Sequence, residues 1–197
     1  TFSSRGLGDV YKRQDLDVLP DVAPTPEQAL EMHGRVADRT HSRRRAVNLF
    51  EKDIVLWPVH RRDHWFLIVA CMNERVVYTL NSYNTMCEGQ IVAHIQAYLG
   101  IEYFKSVGHD GTPPTFTHVR THPPQQNDFT SCGLFAIHFA REIANRMEEF
   151  ANMIPTGTEL SMPFSPIQLR AGLSLAIKQK SVDQGIIVES WPDLDLD

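Results

Sequence analysis

Three apolar runs set close together restrict this chain more than any other feature. IVLWPV (54–59), HWFLIVACM (64–72) and RVVYTL (75–80) are separated only by HRRD and NE. In each run both alternating positions are apolar, the pattern of strands covered on both faces of a sheet. Linkers this short suit antiparallel connections. Helical and extended patterns are mixed along the rest of the chain without βαβ regularity, so the expected class is α+β.

EGQIVAHIQAYLG (88–100) places Ile91, Val92, Ile95, Tyr98 and Leu99 at helical spacing, with Gly100 as the expected C-cap. The loop GHDGTPP (108–114) leads to a further strand, TFTHVR (115–120). A helix is expected from Ser131 or Cys132 to Phe150, and an amphipathic one over 166–180, its apolar members Ile167, Leu169, Leu173, Leu175, Ala176 and Ile177. Residues 15–46 read as a lead-in: a proline-containing loop, then a helix-tolerant stretch after Thr25-Pro26. The domain proper spans 47–180, and 181–197 form an acidic tail expected to be disordered. TFSSRGLGDVYKRQ (1–14) resembles translated library adapter and is set apart as a non-native segment.

Hydrophobic residues at 42% and charged ones at 22% describe a soluble globular protein. A formal net charge of −5 gives no footprint for nucleic acid, and Arg43-Arg44-Arg45 is too short to supply one. Three cysteines with no CxxC spacing argue against a disulfide framework and against zinc, and point to a reducing compartment. The longest apolar stretch is too short to span a bilayer.

The chemical signal is concentrated in QQNDFTSCGLF (125–135). Turn formers deliver Cys132 to the start of an apolar helix, where unpaired N–H groups and the dipole's positive end favour a thiolate. Gly133 leaves room for a substrate carbonyl to approach. A buried structural thiol is the competing reading of a Cys-Gly pair. Cys71, inside an apolar strand, reads as core, and Cys87 has no evident partner. A nucleophilic cysteine needs a base. Of nine histidines, His64 stands out at the start of the most apolar run, with Trp65 beside it as an apolar wall; His60 competes. Asn81 ends the third run, where antiparallel neighbours would bring it near His64 as an orienting group. Turn chemistry also accounts for Asn and Ser there. Gln126 offers an amide N–H to an oxyanion beside the Cys132 backbone N–H, worth about 3–4 kcal/mol per donor. Gln125 is the alternative donor.

DIVLWPVHRRDHWFLIVA, VVYTLNS and PPQQNDFTSCGLFAIHFA, in that order, resemble the sentrin/SUMO-specific protease (Ulp/SENP) family of cysteine peptidases. The resemblance runs from about Val47 to about Lys180. It implies a papain-like α+β fold, a central helix starting at the nucleophile and packed on a mixed sheet. It implies hydrolysis of the peptide or isopeptide bond after Gly-Gly of a ubiquitin-like modifier, SUMO first. A deneddylase or other ubiquitin-like specificity is one alternative, and a non-catalytic ubiquitin-like-binding module another. Carried over by residue, Cys132 is the nucleophile, His64 the base, Gln126 the oxyanion donor and Trp65 the cover over the Gly-Gly tail. Asn81 stands where the family has aspartate, and Ser131 where an aspartate precedes the cysteine. The amide at 81 is expected to accept from imidazole Nδ1–H and to stabilise imidazolium less than a carboxylate does. An amide flip would select the wrong tautomer, so the expectation is a slowed but living enzyme. The modifier and its conjugates are the implied partners, with no nucleic acid or membrane, and the nucleus or cytoplasm is the implied location. No metal or organic cofactor is required. The family's Trp-Leu-Asn-Asp-like segment has no match in residues 1–45, so a truncated N-terminus is expected.

Overall fold

The computed structural model describes residues 24–41, 48–83, 89–107, 111–147 and 164–184. β1 (Ile54–Arg61), β2 (His64–Cys71) and β3 (Val76–Leu80) pair antiparallel in turn. β4 (Thr117–Arg120) pairs parallel with β3 and completes a mixed sheet in the order β1-β2-β3-β4. A parallel step needs a crossover, and α2 (Gly89–Val107) supplies it. α1 (Pro26–His41) precedes the sheet, while α3 (Cys132–Asn145) and α4 (Pro166–Asp183) close the chain's described part.

β2 explains why its sequence is apolar at every position. Phe66, Ile68 and Ala70 pack with Trp57, Val59 and the α2 residues Ile91, Val92, Ile95 and Leu99. Leu67, Val69 and Cys71 face the other way, against Tyr78, Leu80 and the α3 residues Phe135, Phe139 and Ile143. Each such buried side chain contributes about 1.5–3 kcal/mol, so α3 is held on the sheet by a face it cannot leave cheaply.

The β1–β2 turn sets where His64 begins. Arg61 pairs with His64, and Arg62 and Asp63 between them sit at φ 48° and 59°. A two-residue hairpin of this hand needs positive φ at both central positions. Neither is glycine, so the turn carries strain of about 1–2 kcal/mol per residue, which the buried strands on either side sustain.

Several boundaries differ from expectation, each for a tertiary reason. Gly100 does not cap α2: the helix continues to Val107. Its last turns are held by Tyr103, edge-on to Phe50 at 5.3 Å, and by buried Glu102, paired with His33 Nε2 of α1. Lys105 Nζ donates to His33 Nδ1 at 3.1 Å, so the Nε2–H faces the carboxylate. α1 itself starts at a capping box: Gln28 N–H donates to Thr25 Oγ1, Thr25 N–H to Gln28 Oε1, and Pro26 takes the first helical position. β4 begins at Thr117 rather than 115. α3 ends at Asn145, where Arg146 N–H donates to the carbonyls of Glu142 and Ile143; 148–150 lie outside the described residues. α4 reaches Asp183, into the stretch read as tail. It is not the single-faced amphipathic helix expected, because Leu169 is buried while Ile167, Leu175 and Ile177 are at least half exposed. Residues 1–14, Arg43-Arg44-Arg45, Cys87 and the tail from 185 lie outside the described residues.

Candidate active site

The start of β2 meets the start of α3 through Trp65 and Gly133. A Cβ added to Gly133 would lie 3.6 Å from Trp65 Cδ1, so the indole stands against the first turn of α3 with room between them for one methyl group. Glycine keeps that gap open. His64 and Cys132, the immediate chain neighbours of these two residues, are both buried. His60 tilts against Trp65 with ring centroids 4.7 Å apart, so it supports the indole, leaving His64 as the histidine that meets an orienting group. Cys132 is a free, buried thiol.

His64 Nε2 and Asn81 Oδ1 are 2.7 Å apart. The β2–β3 register pairs Leu67 with Leu80, so the next step sets Asn81 across from Phe66, a diagonal neighbour of His64. The same Oδ1 accepts from the backbone N–H of Tyr83 at 2.9 Å, a turn two residues long. That second bond fixes the amide. A backbone N–H can only donate, so the atom facing it must be the oxygen, and His64 must then donate through Nε2–H. Two expectations are corrected here. The bonded nitrogen is Nε2, not Nδ1, and the amide is not free to flip. Nδ1 is left as the ring atom able to take a proton. Asn81 is 3% exposed, and among the described residues its Nδ2 has no hydrogen-bond partner.

The two glutamines separate by how their amides are used. Gln125 Nε2 donates to the carbonyls of Asn81 at 3.0 Å and Pro123 at 2.8 Å, which spends both of its N–H groups on the main chain. Gln126 is buried; its Oε1 accepts from Ser82 Oγ at 2.7 Å and, among the described residues, its Nε2 donates once, to the Asp128 carbonyl at 2.6 Å. One amide N–H of Gln126 therefore remains.

A carboxylate that sequence reasoning passed over organises the approach to Cys132. Asp128 Oδ1 accepts from the backbone N–H groups of Thr130 and Ser131 at 2.8 and 2.6 Å, and Oδ2 accepts from Ser131 Oγ at 2.6 Å. The Ser131 hydroxyl bond, then the backbone bonds, hold the Asp128 carboxyl below its ordinary range. Arg170 of α4 donates to the same hydroxyl at 3.3 Å. Ser131, the residue where a family aspartate was expected, is thus tied to a carboxylate three positions earlier. The signal was in the sequence, since Asp followed by Thr and Ser is the composition of such a turn.

Cys71 is of another kind: burial, with Glu74 adding to it, pushes its thiol up to about 12. Tyr83 and Phe129 flank the site edge to face at 6.1 Å, and Phe129 is 83% exposed. Among the described residues no group of three His, Cys, Asp or Glu is placed to hold a metal ion, and no helix is long and apolar enough to cross a membrane.

This geometry has known relatives. Residues 23–159 match the family described as Ulp1 protease family, C-terminal catalytic domain. Human sentrin-specific protease 2 is 32% identical over 104 residues, 51% of this chain and 17% of that protein. Mouse sentrin-specific protease 3 is 26% identical over 98 residues, 50% of this chain and 17% of that protein. The chain thus spans about a sixth of the length of these relatives. Among solved structures, the SUMO protease Ulp1 with its catalytic cysteine oxidised to a sulfenic acid superposes with TM-score 0.55 at 16% identity, covering 78% of this chain and 64% of that one. A de-sumoylating protease gives 0.53 at 14% identity, covering 79% and 61%. These two share the fold. With the family match covering more than half of its length, the chain belongs to the Ulp1 protease family of cysteine peptidases.

Proposed function

We propose that this chain hydrolyses the peptide or isopeptide bond after the C-terminal Gly-Gly of a ubiquitin-like modifier, with SUMO as the modifier. The observation that carries the reading is the juxtaposition of a buried thiol at the start of α3, a buried imidazole oriented by Asn81, and Trp65 standing close over Gly133. An indole this close to the start of α3 favours a peptide whose last residues have no side chains. The sentrin specificity in the names of the 32%- and 26%-identical relatives supports SUMO.

The chemistry follows from the bonds present. His64 Nδ1 takes the Cys132 proton and Sγ attacks the glycyl carbonyl carbon, forming the S–C bond. The carbonyl oxygen becomes an oxyanion held by the remaining Gln126 Nε2–H and the unpaired N–H groups at the start of α3. His64 returns the proton to the departing amine as the C–N bond breaks, leaving a thioester. A water then attacks the thioester, giving its proton to Nδ1, and the modifier leaves with a free carboxylate while the thiol is restored. Throughout, Asn81 Oδ1 receives the Nε2–H and keeps the ring in place. Binding groups that meet only the developing charge are those that speed the step.

A second reading, a module that binds the modifier without cleaving it, has Asn81 in its favour, because an amide supports imidazolium less than the family's aspartate. Modifiers ending in a C-terminal electrophile decide between them. Capture of the chain by the SUMO probe, lost in Cys132→Ala, is the expected result. Capture by a ubiquitin or a NEDD8-type probe in place of SUMO would reassign the specificity. Reversible binding with no capture by any probe, the fold being intact by circular dichroism, would establish the non-catalytic module.

A further inference from the structure

We propose that Ser82 is a positioning residue for the oxyanion donor: together with the Asp128 carbonyl, its hydroxyl fixes the rotation of the Gln126 side-chain amide. The inference rests on the protease reading above and extends it to a residue with no role there.

Ser82 is 1% exposed and touches Gln126 at two points. Its carbonyl accepts from the Gln126 backbone N–H at 2.9 Å, and its Oγ donates to Gln126 Oε1 at 2.7 Å. The direction of the second bond follows from the other end of the amide. Gln126 Nε2 lies 2.6 Å from the Asp128 carbonyl oxygen, which can only accept, so the NH₂ must face Asp128 and the oxygen must face Ser82. A hydroxyl is one of the few groups that satisfies a buried amide oxygen there. Without it, Oε1 is left unpaired in a buried place, a cost of about 1–3 kcal/mol that a side-chain rotation would relieve. That rotation would weaken the Asp128 bond and redirect the remaining N–H. The backbone bond holds the residue but not the rotation of its amide, which the Asp128 carbonyl is then left to fix from one end only.

The location adds a second consequence. Asn81 and Ser82 are consecutive residues at the end of β3. One orients the His64 ring through Oδ1, the other orients the Gln126 amide through Oγ. Gln125 Nε2 bonds the Asn81 carbonyl as well, so the loop before Cys132 is stitched to the same dipeptide. The base and the oxyanion donor, 62 positions apart along the chain as His64 and Gln126, are aligned from one dipeptide.

The test is a double-mutant cycle with Ser82→Ala and Gln126→Ala, read on a SUMO C-terminal fluorogenic reporter. Losing one oxyanion donor costs about 10²–10³ in kcat, so Ser82→Ala is expected to lower kcat roughly 10-fold or more, with KM within about 2-fold. In the Gln126→Ala background the same change is expected to do nothing further. The pH profile keeps its shape, because His64 and Asn81 are untouched. An equal loss from Ser82→Ala in both backgrounds makes its role structural and overturns the proposal, as does no loss in either. If the unsubstituted chain turns over no modifier reporter, the protease reading fails, and the Gln126 side-chain amide signals in NMR then decide. They are assigned by their loss in Gln126→Ala. Amide protons that exchange faster in Ser82→Ala uphold the positioning, and unmoved signals overturn it.

Discussion

Asn81→Asp puts a charge on the atom that faces His64, and its effect can be worked from the geometry. The contact is 2.7 Å between Nε2 and Oδ1, at a residue only 3% exposed. Unit charges about 4 Å apart at an effective dielectric near 20 attract by roughly 4 kcal/mol. Against this stands the second carboxylate oxygen. It replaces Nδ2, which has no partner among the described residues, and would itself be buried without a donor there, at a cost of about 1–3 kcal/mol. The net gain for imidazolium beside a carboxylate is therefore about 1–3 kcal/mol, a factor of roughly 5 to 150 in the population of the thiolate–imidazolium pair. The Tyr83 N–H still finds an oxygen, so the ring orientation is kept. The assays are kcat/KM on the SUMO reporter and the rate of Cys132 alkylation by iodoacetamide, both against pH. Both are expected to rise. Unchanged or lower turnover in a folded variant would refute the argument that the amide limits the ion pair.

Four further outcomes follow from the same structure. Gly133→Ala meets Trp65 at ordinary contact distance, so the melting temperature holds, while the filled gap raises KM for the Gly-Gly reporter roughly 10-fold or more; an unchanged KM would mean that the tail does not run there. Cys71, with its thiol raised to about 12, is expected to resist alkylation at pH 8 in the native protein and to react after denaturation, read by peptide mass mapping. Asp128, whose carboxyl is lowered by its Ser131 bonds, contributes stability that is fully present above its unfolded value of about 3.9 and lost as pH falls through the lower folded one. The difference in melting temperature between the parent and Asp128→Asn should accordingly be flat at neutral pH and shrink below about pH 4. Phe129→Ala removes an 83%-exposed ring, so stability should stay within about 0.5 kcal/mol while KM rises, measured by thermal melts and reporter kinetics.

Much of the scaffold was legible because it is written locally. The double-sided apolar pattern of 64–71 could only be a strand between two layers, and α2 and α3 are those layers. The boundaries that failed were set from elsewhere. Gly100 is a reasonable stop by propensity, yet buried Glu102 and Tyr103 carry the helix seven residues past it, because packing outweighs the roughly 1 kcal/mol that glycine costs. The apolar residues of α4 suggested a packed face, but periodicity cannot say whether a neighbour exists to cover it.

The sequence by itself determined the cast of the site: a cysteine at a helix start, a histidine at a strand start, an asparagine at a strand end, and two glutamines in the loop between. What only the tertiary structure decided was the use of each polar atom. Tyr83 N–H orients the Asn81 amide and thereby assigns Nε2–H to His64. The Asn81 carbonyl, 44 positions away, and the nearby Pro123 carbonyl occupy Gln125, and Ser82 holds the amide of Gln126, also across 44 positions of chain. Residue type states how many donors and acceptors a side chain has. Which of them remain for substrate depends on the obligatory backbone groups the fold brings within about 3 Å.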